Sequence, residues 1–202
     1  MAKGISGSDP AGATPLSDED LDGLIPTFIA TRSDLNFAEQ ANIEAAMRWA
    51  FGRRRVASIE RLLSIEFCDR VHKRMFGDVW RWAGKRRTRA TNIGVDPTQI
   101  TTQMQLLFGD AKYWHEHDSY SEIERAVRLH HRLVSIHPYR NGNGRHARFI
   151  ADLYLHALSA PRLTWGMASG ERPDIEVRAA YISALVAADK GDIGPLLLIA
   201  DE

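Results

Sequence analysis

The sequence predicts an all-α protein, a helical bundle broken by one short β-hairpin. Three observations predict it. Apolar residues recur at helical spacing in segment after segment, capping signals precede several of those segments, and only one stretch, near residues 80–95, alternates as a strand does. The 202 residues suit one compact domain with a small appendage, and 44% hydrophobic residues are enough to build its core.

Residues 1–16, rich in Gly, Ser, Ala and Pro, predict a flexible tail that cannot repay the entropy of ordering. Ser17, followed by Asp18, Glu19 and Asp20, marks a helix start, and Pro26 limits that helix to a turn or two. In "LNFAEQANIEAAMRWAFGRRR" the positions Ile43, Met47, Ala50 and Phe51 form the buried stripe of a longer helix, with arginines at its end. Phe67, Val71 and Met75 mark another, which should end near Gly77. Then Thr91, Ile93 and Val95 alternate with Asn92 and Gly94, the pattern of a short strand or hairpin.

Asp96 and Pro97 restart the helical pattern, carried by Ile100, Met104, Leu107, Phe108 and Ala111 as far as "HEHD". Ser121 and Glu124 make a capping box for a helix that is apolar on two sides, through Val127, Leu129, Leu133 and Ile136, and so should lie at the centre. A further helix resumes at about Arg145, one runs through Tyr181 and Leu185, and Pro195 opens a short last one. The chain divides into the tail, residues 17–55 as N-terminal helices with an inhibitory candidate among them, and a core domain over 56–202.

Charge and composition restrict function. Lys plus Arg equals Asp plus Glu at 26 each, so no global field draws the protein to nucleic acid, and direct nucleic-acid binding is not expected. No run is long and apolar enough for a membrane helix or a signal peptide. The single cysteine, Cys68, excludes an internal disulfide and suits a reducing, cytoplasmic setting.

The chemistry concentrates in "HPYRNGNGRHAR", residues 137–148, too polar to be core. Gly142 and Gly144 let the backbone turn its N–H groups inward, and the helix that follows points its N-terminus at the same place, which favours an anion. Arg145 and Arg148, three apart, put two guanidinium forks on one face of the first turn, and Asn143 can add a neutral donor. The set suits a di- or triphosphate. His137, just before the loop, is the natural base for a hydroxyl attacking a bound phosphate, so the class is phosphoryl or nucleotidyl transfer.

These residues resemble the signature of the Fic (filamentation induced by cAMP) domain, a histidine, proline and aromatic, then an acid, GNGR and a further arginine. "FGDVWRWAGKRR" and "ALVAADKGDIGPLL" are similar to the segments before the Fic flap and at the domain's end, and "TRSDLNFAEQANIEAAMRWAFGRRR" resembles the branch called mobile mystery protein B. The resemblance implies a Fic-type helical bundle that moves AMP from ATP to a Ser, Thr or Tyr hydroxyl of a target protein. It implies His137 as base, Asn143, Arg145 and the backbone of Gly142 and Gly144 on the α and β phosphates, and Arg148 on the γ phosphate. Thr91, Asn92, Ile93 and Gly94 would be the flap, where a target segment adds as a strand.

The family's metal-holding acid is Asn141 here, whose single neutral oxygen should hold Mg²⁺ or Mn²⁺ only weakly. The resemblance also implies an inhibitory glutamate paired with the second signature arginine. The nearest candidate is Glu39, with Glu44 the fallback. A small helix-turn-helix partner, in a toxin and antitoxin arrangement, is implied by the branch.

Other signals are weighed against blander readings. "HEHD" at 115–118 with His130 and His131 suggests a metal site, although helical periodicity makes His130 a core residue. "FGRRR" and "KRRTR" read as a solvated or substrate-facing basic surface, and "WRWAG" as packing for the flap base. Three function classes stand: a protein adenylyltransferase, a catalytically weak Fic-like module that binds a nucleotide or partner or moves a different phosphate-containing group, and a histidine-metal hydrolase.

Overall fold

A computed structural model describes residues 5–6, 15–52, 58–166 and 174–201. Its helices are α1 (Asp18–Leu21), α2 (Arg32–Phe51), α3 (Ile59–Leu62), α4 (Ile65–Phe76), α5 (Ile100–Glu116), α6 (Glu122–Ile136), α7 (Asn143–Ala157), α8 (Asp174–Asp189) and α9 (Gly194–Asp201), with a 3₁₀ turn at Pro97–Gln99. The bundle is all-α, as its periodicity predicts. Most of the tail and the boundary proposed at 55/56 lie outside the described residues, as do the arginines of "FGRRR". Ser6 is described, and its backbone bonds to Ala30 and Arg32 beside the start of α2.

Capping fixes where α1 and α2 begin. Ser17 accepts from the Asp20 N–H while the Asp20 carboxylate accepts from the Ser17 N–H, and Thr31 and Asp34 repeat the arrangement in front of α2. The second box starts α2 three residues before "LNF". At α6 only half of the box forms: Ser121 accepts from Glu124 N–H, but the Glu124 carboxylate turns to Arg128 at 2.7 Å.

α6 is the central helix, packed against α5, α7, α8 and α9, with Val127, Leu129, Leu133 and Ile136 buried. Truncating such a residue, Leu133 for instance, typically costs about 2–5 kcal/mol. α7 packs on α6 and reaches α2, α3 and α4 on its other side. The loop between α6 and α7 is thus held where the two halves of the bundle meet.

The expected hairpin does not form. Among the described residues the β pairing consists of isolated bridges, one of them Arg86 with Tyr139, and residues 88–95 run as an irregular loop. The alternation of Thr91, Ile93 and Val95 is real, but no second strand of the described residues lies beside it. The loop is pinned at its two ends instead, by Arg87 N–H to the Pro138 carbonyl at 2.9 Å and Val95 N–H to the Ile136 carbonyl at 3.3 Å. No described helix is long and apolar enough to cross a membrane.

Candidate active site

α6 ends at His137, which adopts a left-handed conformation (φ 55°, ψ 59°) and turns the chain sharply into the loop. Its Nδ1 lies 3.3 Å from the Val134 carbonyl, a bond that needs the proton on Nδ1 and leaves the lone pair on Nε2. Burial, followed by the charge of Arg87, lowers its pKa from 6.5 to about 4 against the opposing pull of the Val134 bond, so the imidazole is neutral at pH 7. A neutral ring is the state a general base needs.

The next helix begins two residues earlier than expected, because Gly142 takes φ 77° and caps it. A β-carbon on Gly142 would lie 2.6 Å from the Phe76 ring, so the sharp turn demands glycine twice over. The N–H groups of Asn143, Gly144 and Arg145 then fall in the first turn of α7, where no i−4 carbonyl exists to accept them. They are the groups of which the expected anion cradle would consist. The Asn143 side chain is employed elsewhere, its oxygen accepting from Tyr139 N–H and its nitrogen donating to the Tyr139 carbonyl, both at 2.8 Å. Asn143 thus locks the loop, and what it offers an anion is its backbone N–H.

Beneath the loop lies a polar stack that the sequence did not reveal. His72 accepts from Gly84 N–H through Nδ1 and so donates through Nε2 to the Asn141 carbonyl at 3.1 Å. Its ring stacks on Tyr139 at 3.8 Å, and the Tyr139 hydroxyl donates to Asp69. Burial holds His72 well below its ordinary pKa and raises that of Tyr139 well above its own.

One cavity of about 720 Å³ gathers nearly all the predicted residues: His137, Asn141, Gly142, Asn143, Gly144, Arg145, Arg148, Glu39, Asn92, Ile93 and Gly94. Thr91 lines a smaller neighbouring cleft instead. Gly94 (φ 107°) lies directly against His137, since a β-carbon there would sit 2.6 Å from His137 Cβ. α8 supplies the far wall through Arg178, Tyr181 and Leu185. Arg148 is set over the Tyr181 ring at 5.3 Å.

Glu39 is buried rather than exposed, and each of its oxygens has its own partner. Oε1 accepts from the Trp80 indole N–H and Oε2 pairs with Arg145, both at 2.7 Å. The resemblance implied a pairing with the second signature arginine, Arg148; the observed partner is the first, because Trp80 fixes one side of the carboxylate and Arg145 lies over Phe76 within reach of the other. The fallback, Glu44, is exposed and bonds to Gln40.

Within "KRRTR" Lys85 and Thr88 are exposed, as a solvated or substrate-facing run would be, but Arg87 is not. Arg87 is buried and donates to the carbonyls of His137 at 2.6 Å, Val95 at 2.5 Å and Arg89 at 2.9 Å. It ties the 88–95 loop to the turn at His137. Arg89 holds Ser17 and Asp20 of the α1 cap, and Arg140 of the signature loop reaches the same Asp20 at 3.3 Å. "WRWAG" likewise serves the N-terminal helices: Trp80 and Trp82 stack at 4.8 Å and donate to Glu39 and to the Asp20 carbonyl. Long-range partners of this kind leave no local mark in a sequence.

The metal readings fare unevenly. The Asn141 side-chain oxygen accepts from Gly142 N–H at 2.6 Å, so one lone pair of the neutral oxygen standing in place of the acid is already engaged. His130 is fully buried and bonds to the Tyr181 hydroxyl at 2.9 Å, while His131 bonds to Asp189 and Asp118 of "HEHD" pairs with Arg125. Among the described residues no group of three or more His, Cys, Asp or Glu could hold a metal ion.

A model of the Fic/DOC family matches residues 62–155. The chain is 32% identical over 146 residues to protein adenylyltransferase fic-1 of Caenorhabditis briggsae, covering 67% of this chain and 26% of that protein. It is 33% identical over 106 residues to protein adenylyltransferase VbhT of Bartonella schoenbuchensis, covering 45% of this chain and 20% of that one. This chain thus spans about a quarter of the length of these curated relatives. Among solved structures, Fic-1 from C. elegans is similar with a TM-score of 0.66 at 25% identity, over 93% of this chain and 55% of the other. The N-terminal Fic domain of an effector protein from Bartonella sp. AR 15-3 reaches 0.67 at 16% identity over 89% of each chain, a likeness of fold alone.

Proposed function

This chain belongs to the Fic/DOC family, and from that premise we propose that it is a protein adenylyltransferase, moving AMP from ATP to a Ser, Thr or Tyr hydroxyl of a target protein. The observation that carries the reading is that a neutral histidine, an anion cradle and an exposed loop edge share one cavity. The naming of two relatives as protein adenylyltransferases supports the same chemistry.

In this reading the N–H groups of the first turn of α7 and the Arg145 fork hold the phosphates, and Arg148 the terminal one. The target hydroxyl passes its proton to His137 Nε2 as its oxygen bonds to the α-phosphorus. The bond from that phosphorus to the bridging β-phosphate oxygen breaks, and pyrophosphate leaves. The target docks as an extended segment along Asn92–Gly94, whose backbone is unpaired with any strand of the described chain. Glu39 restrains the site by occupying Arg145. The partner implied by the resemblance, a small helix-turn-helix protein, and a cytoplasmic site of action complete the reading.

A second reading rests on Asn141. With no carboxylate to steady a metal, transfer is slow and the protein acts chiefly as a nucleotide- or partner-binding regulator, or moves another phosphate-containing group. Incubation with α-labelled ATP, alone and with cell lysate, separates the two. Label on protein that is lost in His137→Ala and rises in Glu39→Gly supports AMP transfer. Absence of label in every variant, with ADP still bound, supports the regulator.

A further inference from the structure

Asp20 belongs to α1, outside the stretch matched by the family, yet two loops of the candidate site meet on its buried carboxylate. Oδ1 accepts from Arg89 of the 88–95 loop at 2.7 Å and from Arg140 of the signature loop at 3.3 Å. Oδ2 accepts from the Ser17 N–H and hydroxyl. This post is fixed to the bundle rather than to either loop. The Trp82 indole donates to the Asp20 carbonyl at 3.1 Å, Ile25 N–H to Val79 and Arg81 N–H to Gly23.

The 88–95 loop leans on the post. Arg87 and Val95 pin its ends, and between them Arg89 is the one side chain among the described residues that bonds to a distant part of the chain, through Asp20, Ser17 and Glu19. Thr91 bonds within the loop. A cleft of about 220 Å³ is lined by Asp20, Arg89, Thr91 and Asn92 together with Arg140, and Asn92 lines the main cavity as well. The width of the cleft therefore sets where Asn92 stands beside the cavity. Two guanidinium groups drawn to one carboxylate oxygen close on it. With that charge removed they repel each other, a repulsion softened on the Arg89 side by exposed Glu19 and increased by Arg87 in the same cleft.

We propose that Asp20 is a positioning residue, which draws the 88–95 loop against the signature loop and so holds the Asn92–Gly94 edge within reach of His137. Its effect on transfer rests on the adenylyltransferase reading above, whereas the closure of the loop does not. Neither Asp20 nor Arg140 lines the main cavity, so nucleotide binding should be independent of the closure.

Three readouts on the whole chain test it: amide hydrogen exchange over residues 90–94, AMP transfer from α-labelled ATP to the proteins of a cell lysate, and ADP affinity by calorimetry. Asp20→Asn keeps an oxygen for the Ser17 N–H. In it exchange should rise and transfer fall, each by about tenfold or more, with the Kd for ADP within about threefold of wild type. Arg89→Gln, which leaves α1 untouched, should repeat that result. Arg140→Gln added to Asp20→Asn removes the repulsion and should return exchange and transfer to within about threefold of wild type. Unchanged exchange or unchanged transfer in Asp20→Asn and Arg89→Gln overturns the proposal, as does a double variant no better than Asp20→Asn alone. ADP affinity that falls as far as transfer shows a collapsed site and overturns it too. If wild type transfers no label, the adenylyltransferase reading fails, and the exchange results alone decide the closure.

Discussion

Glu39 Oε2 lies 2.7 Å from an Arg145 guanidinium nitrogen, while the other oxygen of the same carboxylate holds the Trp80 indole. In the proposed function the residue restrains the site and supports the bundle at once, and different substitutions divide those roles. Glu39→Gln keeps an acceptor for Trp80 but loses the charge that holds Arg145, so labelled AMP transfer should rise with little change in the thermal midpoint. Glu39→Gly releases Arg145 equally but leaves the indole N–H unsatisfied and places glycine mid-helix, a loss of about 2–4 kcal/mol. Equal transfer by wild type and Glu39→Gln would remove Glu39 from regulation.

Arg87 is the residue most in need of its exact chemistry, since one guanidinium holds the carbonyls of His137, Val95 and Arg89. Lysine keeps the charge but not the planar fork. Arg87→Lys is expected to cut AMP transfer at least tenfold through the misplaced flap and base, while ADP affinity stays within about threefold. Equal falls in transfer and ADP affinity would show a general collapse of the site instead.

Gly94 and Gly109 give a matched pair. Gly94→Ala would force a β-carbon to 2.6 Å from both His137 Cβ and an Arg87 nitrogen at a backbone angle that favours glycine, so stability falls by about 2 kcal/mol or more and transfer is lost. Gly109 is exposed within α5, and a β-carbon there meets nothing within 4 Å. Gly109→Ala should stabilise the chain by about 0.5–1 kcal/mol without altering transfer. Urea titrations of the two variants read both outcomes.

Acid should weaken the fold before any carboxylate is protonated in the unfolded chain. His72, His130, His137 and His146 are all buried with pKa values below 6.5, the last two at about 4, so the unfolded chain takes up protons that the folded one refuses. Stability is full above pH 6.5 and falls as the pH drops toward 4, by roughly 2 kcal/mol between pH 6.5 and 5 for each of the two groups at about 4. Asp152, raised to about 6 chiefly by burial, and Asp69, also raised chiefly by burial, oppose this because the folded state takes their protons first. Four groups against two leave a net loss, readable as a urea midpoint that decreases from pH 7.5 to 5.

The elements that the sequence foretold are those whose cause is local. Helical stripes such as Met104, Leu107 and Phe108, the caps at Ser17 and Asp96, and the turn at Gly142 each depend on neighbours within a few positions. The Thr31–Asp34 box was equally local and would have set the start of α2. What escaped were partners made by the fold: Arg87 looked like surface charge because the carbonyls of Ile136 and His137 are brought to it from about fifty residues away, and the 88–95 loop looked like a hairpin because alternation says nothing about whether a second strand exists. Four-residue α3 has too little sequence to carry a period. The matched family stretch omits Glu39 and the α8 wall, so the cavity is larger than the motif that marks it.

The left-handed turn at His137 bears on how an inactive form should be made. Alanine there removes the imidazole, its bond to Val134 and the side-chain type that tolerates such a backbone, so the loop is free to relax and lost activity could come from a moved cradle. Asparagine accepts the same backbone and keeps a donor near Val134, while having no titrating nitrogen to receive a proton. It gives a protein in which the geometry survives and only the proton acceptor is gone.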